Sequence, residues 1–179
     1  MIATLKRDLA ELGAAIARSG PGGTATSAAL TDSFAVTTLF RLRHALGRLP
    51  GASHALRLVQ TAVFGCEIDR EVTLGAGVYF VHPLGTVVGG TSRLGERVRL
   101  MGNNTVGTRH DDGYPIIGDD VTLGAGARVL GPIRIGAGAT VGAGAVVIDD
   151  VEAGGVVAGV PARPVSHRKE GGTRPHLAS

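Results

Sequence analysis

The sequence predicts a mainly β fold: a parallel β-helix of six-residue repeats preceded by a small α-helical region. Three observations carry that prediction. From Ile68 to Val147 a large apolar residue returns about every six positions. Glycine is abundant, 29 of 179 residues, without the every-third pattern of collagen. Ahead of Ile68 the apolar spacing changes to threes and fours, the period of a helix.

The helical region, residues 1–65, comes first. Leu5, Leu9, Leu12 and Ile16 line one face of a helix over Thr4 to Arg18. Ser19-Gly20-Pro21-Gly22-Gly23 stops it and opens a loop through Ser27. A second apolar pattern runs from Phe34 to Leu49, is broken by Pro50-Gly51, and gives way to a third from Ser53 to Phe64. His44 and His54 fall within these helices and are expected to be structural or exposed. Cys66, the single cysteine, excludes an intramolecular disulfide and a cysteine zinc cage, and is expected to be a small buried hydrophobe.

Residues 66–165 carry the repeat. Units begin at Ile117, Leu123, Val129, Ile135, Val141 and Val147 without a slip, and Ile68, Leu74, Phe80, Val88, Leu94, Leu100 and Val106 continue the register upstream. Two interruptions occur, an extra pair of residues within His82 to Val87 and an insertion from Thr108 to Ile116. An apolar side chain every six residues points into a narrow prism, and glycine beside it permits a turn that a Cβ opposes. One coil cannot bury its apolar face alone, so coils stack at about 4.8 Å. Three flat faces per coil give about four coils. Residues 166–179 are expected to form a disordered tail.

Composition narrows the function. At 44% hydrophobic and 18% charged the chain is too apolar for a disordered protein. Aromatics are 3% and no lysine-rich cluster occurs, so nucleic-acid binding is not expected, whereas the net charge of +3 suits anionic small molecules. No apolar run approaches a membrane span, and Lys6, Arg7, Asp8 and Glu11 interrupt the stretch a signal peptide needs. A soluble cytoplasmic protein without a membrane partner is the expectation.

Three segments carry a resemblance. They are Cys66-Glu67-Ile68 followed by Phe80-Val81-His82-Pro83-Leu84-Gly85-Thr86-Val87-Val88-Gly89, then Gly113-Tyr114-Pro115-Ile116-Ile117-Gly118-Asp119, then Ala158-Gly159-Val160-Pro161-Ala162-Arg163. Together they resemble the hexapeptide-repeat acyltransferases, in the serine acetyltransferase branch, over about Phe64 to Val165. Phe40-Arg41-Leu42-Arg43-His44-Ala45-Leu46 weakly echoes a helix of the same branch. The resemblance implies a left-handed β-helix, a homotrimer, and acetyl-CoA as co-substrate with no metal. It also implies His82 as catalytic base and Glu67 as the acid that orients it, where the branch usually has Asp. Ala125, Gly126 and Ala143, beside Gly124, are implied along the pantetheine arm. The coenzyme's 3′-phosphate needs a cation, for which Arg163, Arg168 and Lys169 near the chain end are the candidates.

The chemistry is self-consistent. Acyl transfer from a thioester to an alcohol needs a base, since a hydroxyl at its free pKa is a poor nucleophile. Imidazole can take that proton and return it, and a carboxylate on its other nitrogen fixes the tautomer. His82 also lies where the repeat register breaks, as a functional residue often does.

Departures from the branch bear on the acceptor. Val81 stands where Asp usually precedes the histidine, Gly113-Tyr114-Pro115 replaces Arg-His-Pro, and Gly90 replaces Glu. The loop residues Arg109, His110, Asp111 and Asp112 could rebuild a polar acceptor site, with Tyr114, His110 and Arg109 as candidate substrate contacts. The acceptor is therefore expected to be a small hydroxyl compound, an amino acid such as L-serine slightly ahead of a sugar or polysaccharide hydroxyl. A noncatalytic trimeric scaffold is a remote alternative. A zinc β-helix of the γ-type carbonic anhydrase kind needs three gathered histidines, and the repeat region offers His82 and His110.

Overall fold

The structure, a computed structural model, describes residues 2–19, 28–47, 49 and 51–165. Three helices precede the repeats: α1 (Ile2–Ser19), α2 (Asp32–Ala45) and α3 (Ala52–Phe64). The expected face of α1 is its packed one, with Leu12 buried and Leu5, Leu9 and Ile16 half-buried. Asp8 shares that face and is 3% exposed. Helix α2 starts earlier than its apolar pattern because Thr31 caps it, the Oγ1 accepting the Phe34 N–H at 3.2 Å. It also stops short of Leu49: the Gly47 N–H turns back to the His44 carbonyl. Helix α3 is bounded by Gly51 and Gly65, both in the left-handed region.

The repeats form three parallel sheets. The first face stacks β1 (Glu67–Ile68), β4 (Val87–Val88), β7 (Thr105–Gly107), β10 (Arg128–Leu130) and β13 (Val146–Val147). The second stacks β2 (Thr73–Leu74), β5 (Arg93–Leu94), β8 (Ile116–Ile117) and β11 (Arg134–Ile135). The third stacks β3 (Tyr79–Phe80), β6 (Arg99–Leu100), β9 (Thr122–Leu123), β12 (Thr140–Val141) and β14 (Val156–Gly159), and β15 (Ala162–Pro164) closes it antiparallel to β14. Every repeat-starting residue named from the sequence is buried, and the pairing puts like on like. Ile68, Val88, Val106, Val129 and Val147 run up the first face in register.

The solenoid has about five turns rather than the expected four, since the first face holds five strands. The missed turn follows Val147, where the six-residue step shortens: Val151 pairs with Ile135, and Val157 pairs with Val141. At the opposite end α2 and α3 cover the first coil. Val36 and Phe40 join the core, Phe64 packs against it, and Cys66 is fully buried as expected. Burial pushes the Cys66 thiol up to about 12, against a hydrogen bond from Gln60 that lowers it.

Candidate active site

The edge between the third and first faces holds His82 and the residues expected along the pantetheine arm. His82 follows β3 and Gly102 follows β6. Ala125 and Gly126 lie between β9 and β10, and Ala143 lies between β12 and β13. Backbone bonds tie these corners into one column: Gly126 N–H to the Gly102 carbonyl at 2.9 Å, and Gly144 N–H to the Ala125 carbonyl at 2.8 Å. A Cβ on Gly102 would sit 3.0 Å from both the Cβ and the carbonyl oxygen of His82, so only glycine lets the histidine corner settle at this height. Ala125 and Ala143 are exposed on the same edge. A Cβ on Gly124 would meet the Ala143 nitrogen at 2.5 Å, which explains the small residues here.

Asn104 supports this corner, and the sequence reading missed it. It is fully buried, its Oδ1 accepts the Gly102 N–H at 3.0 Å, and its Nδ2 donates to the Gly124 carbonyl at 2.7 Å. Thr86 and Ser92 hold the equivalent position in neighbouring turns, so no sequence signal set Asn104 apart.

His82 is exposed and lines a groove of about 500 Å³ with Asp32, Val63, Phe64, Pro83 and Leu84. Glu67 lies on β1, on the coil below. Among the described residues no hydrogen bond joins Glu67 to His82. The carboxylate instead accepts from Arg57 Nη1 of α3 at 2.8 Å. The helix pattern gave no hint of that partner, because it reports which face packs, not how far a side chain reaches.

The candidate acceptor residues lie elsewhere on the chain. Arg109, His110 and Tyr114 belong to the loop between β7 and β8, at the edge between the first and second faces. Asp112 organises the loop, accepting from Thr108 Oγ1 at 3.5 Å and the His110 N–H at 3.4 Å. Desolvation pushes the Asp112 carboxyl up, but backbone N–H groups of His110, Asp112 and Arg109 outweigh it and hold it below the ordinary range. The Tyr114 ring lies on Gly90, where a Cβ would overlap ring carbons Cζ, Cε1 and Cε2. One chain thus does not bring this loop to His82; the width of the first face separates them.

Arg163, on β15, is exposed and paired with Asp149 at 3.1 Å. Arg168, Lys169 and the expected disordered tail fall outside the described residues. Among the described residues no three His, Cys, Asp or Glu side chains gather as a metal site. No helix among them is long and apolar enough to cross a membrane.

Residues 114–149 match the family described as bacterial transferase hexapeptide (six repeats). The serine acetyltransferase of Helicobacter pylori (strain J99) is 36% identical over 132 residues, 71% of this chain and 77% of the relative. The chain belongs to the serine acetyltransferase family. Solved members share the fold. Soybean serine acetyltransferase complexed with serine superposes with a TM-score of 0.81 at 34% identity, covering 91% of this chain and 70% of that one. A serine acetyltransferase in complex with CoA also gives 0.81, at 29% identity, with 91% and 70% covered. The coils are consistent with a left-handed β-helix of hexapeptide repeats. The chain spans 36% of serine acetyltransferase 4 from Arabidopsis thaliana and 45% of the Mycobacterium tuberculosis enzyme.

Proposed function

We propose that the protein is an acetyl-CoA-dependent O-acetyltransferase that acetylates the hydroxyl of L-serine, with His82 as general base. The observation that carries the reading is the single edge shared by His82, Ala125 and Ala143. It sets an exposed imidazole at one end of a column of small residues, against which a thin pantetheine arm can lie. His82 takes the proton of the acceptor hydroxyl as its oxygen attacks the thioester carbonyl. The C–S bond then breaks, and the same imidazole returns the proton to the coenzyme A thiolate. Glu67 steadies the imidazolium, and Arg163, released from Asp149, meets the 3′-phosphate.

The acceptor contacts come from a second copy of the chain. Arg109, His110 and Tyr114 sit one face away from His82 in their own chain, so a homotrimer in which each loop reaches a neighbour's His82 completes the site. The coenzyme then lies between subunits, in the cytoplasm.

One observation favours a sugar hydroxyl as a second reading. Gly90 stands where the serine branch usually has Glu, and the Tyr114 ring lies against it. Following thiol release from acetyl-CoA over a panel of amino acids and sugars separates the two. L-Serine is expected to release thiol at a rate that saturates with serine. Saturable release with sugars alone would transfer the reading to them, and no acceptor-dependent release with any hydroxyl compound would end it.

A further inference from the structure

We infer that Arg57 is a positioning residue for the acetyl transfer, acting on His82 through Glu67, so that the helical region contributes to the active site. The inference rests on the proposed roles of His82 and Glu67. Its observation is independent of them: the Glu67 carboxylate is held from α3, by the Arg57 guanidinium at 2.8 Å.

The surroundings of Glu67 favour a directed role over a chance surface pair. The contact takes one carboxylate oxygen, Oε1, and leaves Oε2 without a hydrogen-bond partner among the described residues. A carboxylate carries acceptor sites on both oxygens, so Glu67 can accept from Arg57 and from an imidazole N–H together. Glutamate has one more rotatable bond than aspartate. Anchoring it from the side removes that freedom before the imidazole is met, which is where positioning gains rate.

Both partners are well seated. Helix α3 packs on β1, and Arg43 from α2 is buried beneath, with Nη1 donating to the Ile68 carbonyl at 2.8 Å. Arg43 lies within electrostatic reach of Arg57, Asp69 and Glu67, and Asp32 of α2 lines the groove with His82. Arg57 alone among them makes a salt bridge to Glu67. The pair is also exposed, at 38% and 47% of the two side chains, so it adds little stability. An Arg57 variant is therefore read in catalysis, not in folding.

The sign of the effect follows from charge. A carboxylate beside an imidazole favours the imidazolium, and a guanidinium on that carboxylate opposes the effect. Removing Arg57 strengthens the pull of Glu67 on the proton of His82. The base works only when unprotonated, so the acid limb of the rate profile moves to higher pH.

The test is the pH profile of kcat/KM for acetyl-CoA-dependent transfer by the full chain. It compares Arg57→Gln, Arg57→Lys, Glu67→Gln and the double variant Arg57→Gln/Glu67→Gln. Arg57→Gln is expected to move the acid limb upward by on the order of half a pH unit. It is also expected to lower kcat about tenfold through lost positioning, with the KM for acetyl-CoA unchanged. Arg57→Lys is expected to restore the limb, and Arg57→Gln is expected to add nothing once Glu67 is Gln. An unmoved limb and rate in Arg57→Gln, with a moved limb in Glu67→Gln, overturns the role of Arg57 and leaves the proposed dyad standing. If Glu67→Gln also matches wild type, the dyad falls, and Arg57 with it.

Discussion

His82 meets the coil above through its Cβ and carbonyl against Gly102, and the residue is exposed and lines a groove with Asp32 and Leu84. Chemistry and stability are therefore separable at this residue. His82→Ala is expected to lower acetyl transfer by about 10²–10⁴-fold, the usual contribution of general base catalysis. The thermal midpoint should stay close to wild type, because an exposed ring adds little burial. Steady-state thiol release and a thermal melt check both parts, and near wild-type turnover would remove His82 from the mechanism. Glu67→Gln is expected to be milder, since the amide keeps the acceptor oxygen and loses the charge. His82 could be picked out of the sequence because it interrupts a strict period. Asn104 and Arg57 could not be, because their importance lies in contacts with Gly124 and Glu67, each made across a stretch of chain that carries no marking of its own.

At the scale of elements, α1 is fastened to the first coils by two ion pairs of different kinds. Asp8, 3% exposed, takes Arg41 Nε at 2.6 Å and the Gly77 N–H at 2.9 Å. Arg41 in turn donates to the carbonyls of Leu74 and Gly75, so one carboxylate ties α1, α2 and the corner after β2 together. Removing it leaves a guanidinium, itself only 13% exposed, without its counter-charge. Asp8→Ala is expected to cost about 3–5 kcal/mol, as breaking one partner out of a buried pair generally does. The Arg7–Glu96 pair, at 57% and 35% exposure, joins the same helix to a neighbouring coil, and Arg7→Ala is expected to cost less than about 1 kcal/mol. Urea unfolding midpoints of the two variants compare them directly, and equal losses would refute the distinction. In the sequence Asp8 is one more charge in a short charged run. Its burial follows from the packing of α1 on α2 and the first coil, not from the helix pattern.

At the scale of the whole molecule, His82 and the loop of Arg109, His110 and Tyr114 lie along different edges of one prism. The proposed chemistry needs both, so it needs more than one copy. Light scattering is expected to give three chains per particle. Two inactive variants, His82→Ala and Ala143→Trp, are expected to recover part of the activity when co-expressed as mixed trimers. Recovery arises because an interface between their unaltered halves places an intact His82 against an intact coenzyme surface. An active monomer, or no recovery in a verified mixed trimer, would overturn the shared site.

Much of this molecule is periodic, and periodicity is a local property. A strand facing the inside of a narrow prism must present an apolar side chain at each pass, so the sequence by itself determined the three faces, the register, and the edge on which His82 falls. The helices were equally legible, except that Thr31 and Gly47, not the apolar pattern, set the ends of α2. What only the tertiary structure decided lies where distant segments meet or the period fails. The fifth coil was hidden by the shortened step from Val147 to Val151. The ring of Tyr114 on Gly90 joins two departures that look unrelated along the chain. The hold of Arg57 on Glu67 depends on how α3 lies against β1. These contacts are set by the distance between elements once they have packed, a quantity no repeat or helical period encodes.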